Sequence, residues 1–227
     1  MISDYYKLIF VHSRKCAGSS IVSVFPDAQK KFDDGLMSSG FRVKRQEIYR
    51  NYVVFTVCRH PFDRLLSSWR YCHSTKNLSL YEALRNPPSS RFRDDLFSSD
   101  RSFSARKESF AYFLKRTLSI IRSGQRLKTS KFTHDYRHFT QNQTDLYVDE
   151  NGGGWADYVL RLEFLESDWT AMWARLGYAP PALPHLNAGI NAKEHWGEIM
   201  SKEEVELATE LFAKDFYYLP YSPCGQI

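Results

Sequence analysis

The clearest pattern in the chain is a pair of short apolar runs, each followed by a polar turn and an amphipathic stretch. Tyr52–Cys58 (YVVFTVC) is rich in β-branched and aromatic residues and carries no charge, and Lys7–His12 (KLIFVH) is similar but shorter; such runs favour buried strands. Gly18–Phe25 and Phe62–Cys72 can follow as helices, and Pro61 suits the first turn of the second. Two strand–turn–helix units in succession predict an α/β fold: a central parallel β-sheet flanked by helices on both faces.

The rest of the chain is mainly helical in pattern. Ser79 and Ser201 each precede a glutamate by three positions, which is the spacing of a capping box and predicts a helix start. The helix after Ser201 is expected to run to about Phe216. The other predicted elements are a helix over Lys107–Ser123, a strand over Tyr158–Leu162 and a helix over Leu165–Leu176 that ends at Gly177.

Length and composition are those of an ordinary globular protein. The chain has 227 residues, of which 43% are hydrophobic and 25% are charged, enough for one sizeable core. We therefore predict one domain over residues 1–227. No apolar run approaches the roughly 20 residues of a membrane span, and the N-terminus has no secretory pattern. These features favour a cytoplasmic protein without a membrane partner, although a trimmed lumenal protein would have the same sequence features.

The four cysteines argue against a zinc site. None lies in a CxxC motif or near a histidine cluster, so no metal is predicted and free thiols in a reducing compartment are expected. Net charge is +5, but Arg70–Arg137 holds 15 Lys and Arg against 6 Asp and Glu. This basic helical and loop region, at about 74–137, is equally compatible with an anionic partner and with a solvated surface.

The first turn has the composition of an anion-binding loop. It reads FVHSRKCAGSS from Phe10 to Ser20. Small residues let backbone amides close round an oxyanion at a helix N-terminus, while Arg14 and Lys15 supply positive charge. In a Walker A loop the lysine follows the glycine, whereas here Lys15 precedes Gly18. A P-loop kinase using ATP and magnesium is therefore disfavoured. The candidate anion-binding residues of this turn are Arg14, Lys15, Cys16, Ala17, Gly18, Ser19 and Ser20.

The second turn presents an arginine where open α/β sheets bind ligands. Arg59 directly follows the apolar run Tyr52–Cys58 and is expected at the carboxyl end of a central strand. Its planar guanidinium matches phosphate oxygens. Ser67 lies about two helical turns further on, so both side chains can contact one phosphate.

The two turns together resemble the nucleotide-binding motifs of the PAPS-dependent sulfotransferases. The first is similar to their 5′-phosphosulfate loop, F-x-H-x-x-K-[TC]-[AG]-G-[TS]-[TS], and the second to their 3′-phosphate motif, R-x-P-x-x-R-x-x-S, which Arg59, Pro61, Arg64 and Ser67 match. Stretches beginning at Gln143 (QTDL), Tyr158 (YVLRLE) and Leu183 (LPHLN) resemble the carbohydrate, heparan 2-O-sulfotransferase-like branch and its bacterial relatives.

The resemblance implies a P-loop-like sulfotransferase fold with PAPS as sulfuryl donor and PAP as product. It implies a hydroxyl acceptor, either a carbohydrate or a small metabolite, and no metal. Lys15 would contact the bridging oxygen between sulfur and phosphorus and neutralise the departing phosphate. Lys193 lies where relatives have a segment that closes over the nucleotide, which implies a 3′-phosphate contact.

The expected general base is a histidine, because its pKa is near neutrality. Relatives commonly place the base a few residues before a Gln-Thr/Ser-Asp segment, which implies His138, with His134 as the alternative. His12 is expected to be structural, and His60 is expected to face the phosphate loop. Arg161 could either orient the site or pair with Glu163, and the ion pair with Glu163 is the expected role.

A non-catalytic binding function stays an alternative to the enzymatic one. The basic region could bind a polyanion, which would make that binding steeply salt-dependent. The aromatic residues in it, such as Phe110 and Phe113, are spaced as a packed helix face, so nucleic acid is not predicted as a partner. The sequence carries no signal for an oligomeric state.

Overall fold

The chain forms two compact units in the computed structural model, which describes residues 1–27, 47, 49–88, 134–149, 151–184 and 195–224. The first unit consists of Met1–Ser68 with Asn142–Ile227, and the second of Trp69–Gln141. The single domain over residues 1–227 stays a prediction. The predicted helix Lys107–Ser123 lies outside the described residues, as do His185, Asn187 and Lys193.

A four-stranded sheet in the order β1-β2-β3-β4 forms the centre of the first unit. Its strands are β1 (Ile2–Ser3), β2 (Leu8–Val11), β3 (Val53–Cys58) and β4 (Tyr158–Arg161). Strand β3 pairs in parallel with both neighbours, and the short β1 pairs antiparallel with β2. The α/β prediction is confirmed, with one antiparallel edge strand that the sequence pattern did not indicate.

Helices follow the strands at the predicted places. The first unit holds α1 (Gly18–Ser23), α2 (Pro61–Trp69, whose last residue belongs to the second unit), α4 (Leu165–Arg175), α5 (Trp196–Ile199), α6 (Lys202–Leu211) and α7 (Ala213–Tyr218). Two 3₁₀ turns span Thr144–Leu146 and Leu162–Phe164. The second unit holds α3 (Leu80–Arg85) and a π-helical turn, Tyr136–Thr140.

The start and stop signals read from the sequence correspond to real helix ends. Both capping boxes form, at Ser79 with Glu82 and at Ser201 with Glu204, and Gly177 has the left-handed φ of 78° that stops a helix. The helix expected from Ser201 to about Phe216 was wrong at one point. Phe212 leaves the helical conformation, with φ −109° and ψ 23°, and so divides it into α6 and α7.

Apolar side chains are buried on both faces of the sheet, which explains why its strands read as continuous apolar runs. On one face Phe10, Phe55 and Leu160 pack with Trp169 and Trp173 of α4, all at most 3% exposed. The opposite face is covered by the segment that follows the Thr144–Leu146 turn and by the C-terminal residues Phe216–Tyr221. Within the described residues, no helix combines the length and hydropathy needed to cross a membrane.

Candidate active site

Both predicted turns leave the same edge of the sheet from neighbouring strands. Because β2 and β3 are parallel and Val11 is paired with Thr56, the segments after Val11 and after Cys58 emerge side by side. In open α/β sheets this carboxyl edge is where ligands bind. The fold therefore brings two turns to one edge of the sheet. The turn after Val11 carries Lys15 and is called the Lys15 turn, and the turn after Cys58 carries Arg59 and is called the Arg59 turn.

The first turn is fixed at its base, and its tip contains two residues with a left-handed backbone conformation. The buried Ser13 hydroxyl lies 3.2 Å from the Thr56 hydroxyl, which donates to the Val11 carbonyl at 2.8 Å. Lys15 and Ala17 have left-handed φ values of 65° and 55°. Left-handed residues in such a turn are typical of concave arrangements of backbone N–H groups that bind anions.

The helix that follows this turn begins without a side-chain cap. Ala17 is the N-cap residue of α1 and has no side-chain oxygen that could accept from the first-turn N–H groups. Ser19 is exposed and Ser20 is buried. A helix N-terminus of this kind presents N–H donors and partial positive charge to an anion.

Close packing explains the glycine of this turn. A Cβ atom on Gly18 would overlap the imidazole of His12. That ring is stacked on Phe10, with centroids 5.6 Å apart and an interplanar angle of 28°. The close approach of this ring explains why residue 18 is a glycine, and the structural role of His12 stays a prediction.

The second turn is anchored by the residues directly after Arg59. The His60 N–H donates to Glu163 Oε1 at 2.7 Å, and Pro61 begins α2. Arg59 and Ser67 are both partly exposed, whereas Arg64 is 1% exposed and its guanidinium lies 5.0 Å from the Phe212 ring centroid. Of the two motif arginines, Arg59 is the one that solvent and ligand can reach.

The expectation that His60 faces the phosphate loop was wrong. Its ring is stacked on Trp196 at 5.4 Å and contacts Phe62 and Phe216, and Nε2 lies 3.3 Å from the Ser222 carbonyl. Burial lowers the pKa of His60, because desolvation disfavours the imidazolium form. The apolar surroundings of the ring explain the difference, and the histidine acts as a packing residue.

Gln143 links the two turns. It is 2% exposed, and its Oε1 accepts from the Cys16 thiol at 3.2 Å and from the Arg59 N–H at 2.9 Å. Its Nε2 donates to the Arg59 carbonyl at 2.9 Å. Sequence reasoning used Gln143 only as part of a family-like stretch, and the geometry assigns it a place between the turns.

A buried carboxylate holds this glutamine in place. Asp215 is fully buried, and its two oxygens accept from the backbone N–H groups of Gln143 and Thr144, from Gln143 Nε2 and from the Thr144 hydroxyl, at 2.8 to 3.2 Å. Because four donors converge on one anion, the carboxylate is well compensated for its burial. Asp215 lies in α7, so the C-terminal helix supports the sheet edge.

The two candidate bases lie together in the second unit. The His134 and His138 rings are stacked with centroids 4.1 Å apart, and Tyr71 lies 4.9 Å from His138. His138 Nδ1 is 2.7 Å from the His134 carbonyl, which can only accept. Nδ1 therefore carries the proton, and Nε2 of the neutral ring carries a lone pair.

His134 is oriented by a carboxylate instead of a carbonyl. Its Nδ1 lies 2.9 Å from Asp135 Oδ1. Burial alone would raise the pKa of Asp135, but hydrogen bonds from His134 and Ser74 outweigh it and lower the pKa. The stack thus holds one histidine against a carbonyl and the other against a buried anion.

The predicted ion pair between Arg161 and Glu163 was wrong. Arg161 instead forms a bidentate pair with Asp168, at 2.7 and 2.9 Å, and its N–H donates to the same carboxylate. Glu163 accepts from the His60 N–H and from the Tyr221 hydroxyl. The helix α4 returns Asp168 to the end of β4, a contact that sequence spacing alone did not indicate.

The described residues hold no group of three or more His, Cys, Asp and Glu side chains suited to a metal. All four cysteines are free. Burial raises the pKa of Cys16 well above its ordinary value, so this thiol stays protonated and can donate to Gln143. It is a hydrogen-bond donor in the loop and not an activated nucleophile.

Comparison with known proteins places this site in a family. A sequence model described as the Sulfotransferase family matches residues 1–222. No curated protein and no solved structure gave a significant match. The family match spans almost the whole chain and includes both turns, Gln143 and Asp215. The chain therefore belongs to the sulfotransferase family.

Proposed function

We propose that this sulfotransferase moves a sulfuryl group from PAPS to a hydroxyl acceptor by in-line transfer. The observation that carries the proposal is the single Gln143 amide that bonds both the Lys15 turn and the Arg59 turn. Two anion-binding turns held this close suit a nucleotide with phosphate groups at both its 5′ and 3′ positions.

The Lys15 turn is the proposed phosphosulfate site. Its left-handed residues and the uncapped start of α1 supply N–H donors, with Arg14 and the residues from Cys16 to Ser20 completing the loop. Lys15 is the proposed catalytic cation at the bridging oxygen. There it neutralises the charge that develops as the S–O bond breaks, which is where electrostatic stabilisation lowers a barrier most.

Arg59 and Ser67 are the proposed ligands of the 3′-phosphate, and Lys193 is proposed to join them. Gln143 bonds both the N–H and the carbonyl of Arg59 and so fixes the Arg59 backbone. The guanidinium of Arg59 is partly exposed and can bind the ligand. A preorganised fork loses little conformational entropy on binding phosphate.

His138 is the proposed general base, and His134 is the alternative. The hydrogen bond from Nδ1 to the His134 carbonyl favours the tautomer with the lone pair on Nε2, which is the form that a general base needs. A sulfuryl group carries less charge than a phosphoryl group, so we propose that the reaction needs no metal. The acceptor is proposed to be a carbohydrate or a small metabolite.

Calorimetric titration with PAP tests the nucleotide assignment. Arg59→Ala is expected to weaken PAP binding about ten- to a hundredfold, because charge-assisted hydrogen bonds contribute about 1.5–3 kcal/mol. The matched control is Arg175→Ala, which removes an exposed arginine at the end of α4. Unchanged PAP affinity in the Arg59 variant would remove this residue from the site.

The same titrations separate the two rival functions. A P-loop kinase predicts ATP binding that requires magnesium, whereas our proposal predicts PAP binding in the presence of EDTA. A polyanion-binding module predicts steeply salt-dependent binding of heparin that survives Lys15→Ala. Either result, obtained without PAP binding, would replace the proposed function.

A further inference from the structure

The Gln143 amide uses its whole hydrogen-bonding capacity between the two turns. Its oxygen accepts two bonds, from Cys16 and Arg59, and its NH₂ group donates two, to the Arg59 carbonyl and to Asp215. An amide has two lone pairs and two N–H groups, so none is left over. The orientation is fixed as well, because the Arg59 N–H can only donate to an oxygen.

The side-chain amide of Gln143 pairs with the backbone of Arg59, just beyond the end of β3. Gln143 bonds both the N–H and the carbonyl of Arg59, at 2.9 Å each, in the manner of a neighbouring strand. Arg59 directly follows Cys58, the last residue of β3. The side-chain amide therefore fixes the backbone from which the 3′-phosphate arginine projects.

The bond to Cys16 carries that constraint to the other turn. Cys16 is fully buried and follows Lys15 directly, so restraining its side chain restrains the lysine backbone. The thiol has one proton and two acceptors in reach, Gln143 Oε1 at 3.2 Å and the Arg14 carbonyl at 3.4 Å. The bond to Gln143 joins the two turns, whereas the contact with the Arg14 carbonyl lies within the Lys15 turn.

We propose that Gln143, held by Asp215, is a positioning residue that fixes the distance between the Lys15 turn and the Arg59 turn. The role rests on the proposed function, because fixing the distance matters only for a ligand that both turns bind at once. With the distance set in advance, binding one phosphate places the other at its site. The second contact then costs little further entropy.

Three probes separate this role from a general structural one: PAP, which carries both phosphates, 5′-AMP and 3′-AMP. Gln143→Met keeps the length of the side chain and removes its four hydrogen bonds. We expect this variant to lose about ten- to a hundredfold in PAP affinity while each monophosphate loses less than about threefold. With PAPS as substrate, kcat is expected to fall as well, since Lys15 is less well aligned.

The control variant is Asp145→Asn, on the 3₁₀ turn that directly follows Gln143, where Asp145 pairs with Lys214 at 2.8 Å. It is expected to leave the affinities for all three probes unchanged. Equal losses for PAP and both monophosphates in Gln143→Met, or no loss for PAP, would overturn the positioning role. A parent protein that binds no PAP would overturn the proposed function instead, so the two failures are distinguishable.

A second pair of variants decides the matter if Gln143→Met does not fold. Cys16→Ala removes the bond between the turns, together with the local contact to the Arg14 carbonyl, and keeps Gln143 bonded to Arg59 and Asp215. It is expected to reduce PAP affinity about three- to tenfold with little change for either monophosphate, since one neutral hydrogen bond is worth about 1 kcal/mol. Cys16→Ser restores a donor and is expected to recover most of that loss. Equal PAP affinity in the Ala and Ser variants would contradict the proposal.

Discussion

Gly18 offers the sharpest test of the loop geometry, through its contact with His12. An added Cβ would lie within the His12 imidazole, so Gly18→Ala forces that ring off its stack on Phe10. Overpacking of this kind costs about 1–3 kcal/mol. Alanine has a higher helix propensity than glycine, which stabilises the start of α1 by at most about 1 kcal/mol. The expected net destabilisation is about 1–2 kcal/mol.

A double-mutant cycle isolates the contact, with urea unfolding as the assay. In the His12→Ala background the ring is gone, so Gly18→Ala is expected to become neutral or stabilising by up to about 1 kcal/mol. Gly154→Ala is the matched control, because its Cβ would meet no atom within 4 Å and should have the same small effect in both backgrounds. If Gly18→Ala were equally destabilising with and without His12, the packing argument would be refuted.

Three further predictions concern stability. Hydrogen bonds from Arg161 hold the pKa of Asp168 below its usual range. Their contribution, about 1 kcal/mol or less, is present above the unfolded pKa of about 3.9 and lost as pH falls through the lower folded value. Urea unfolding should show Asp168→Asn less stable than the parent at neutral pH, and the difference in unfolding free energy should shrink below about pH 4. A difference that does not change with pH would contradict this. Asp215→Ala leaves four hydrogen-bond donors without their acceptor and should lower the free energy of unfolding by about 3–5 kcal/mol. A decrease of less than about 1 kcal/mol would refute the supporting role of Asp215. Ser201→Ala removes a capping box and should cost about 1 kcal/mol; no fall in the denaturation midpoint would count against it.

Local signals in the sequence were sufficient to predict most of the strands and helices. Both strand–turn–helix units, both capping boxes and the stop at Gly177 depend on residues close together in the chain, and the structure confirms them. The family was predictable for the same reason, since each of the two family-like motifs is contained in one turn. The break at Phe212 was not predictable, because this fully buried ring packs over Arg64 of a distant helix.

The missed features of the site all depend on contacts between distant residues. Gln143 bonds Cys16 and Arg59, which lie 127 and 84 positions away in the chain. Asp168 binds Arg161 because a helix turns back on its strand, and His60 is buried by aromatic residues from the C-terminal segments. Such pairings follow from how the elements pack, and no short motif encodes them.

Turnover with PAPS tests the central claim most directly. The protein is incubated with PAPS and a panel of hydroxyl-bearing acceptors in EDTA, and both PAP release and product mass are read. We predict PAP formed in step with a product that has gained one sulfo group, and loss of that turnover in Lys15→Ala. Sulfated product formed at the same rate without Lys15, or transfer of phosphate from magnesium-bound ATP in its place, would contradict the account.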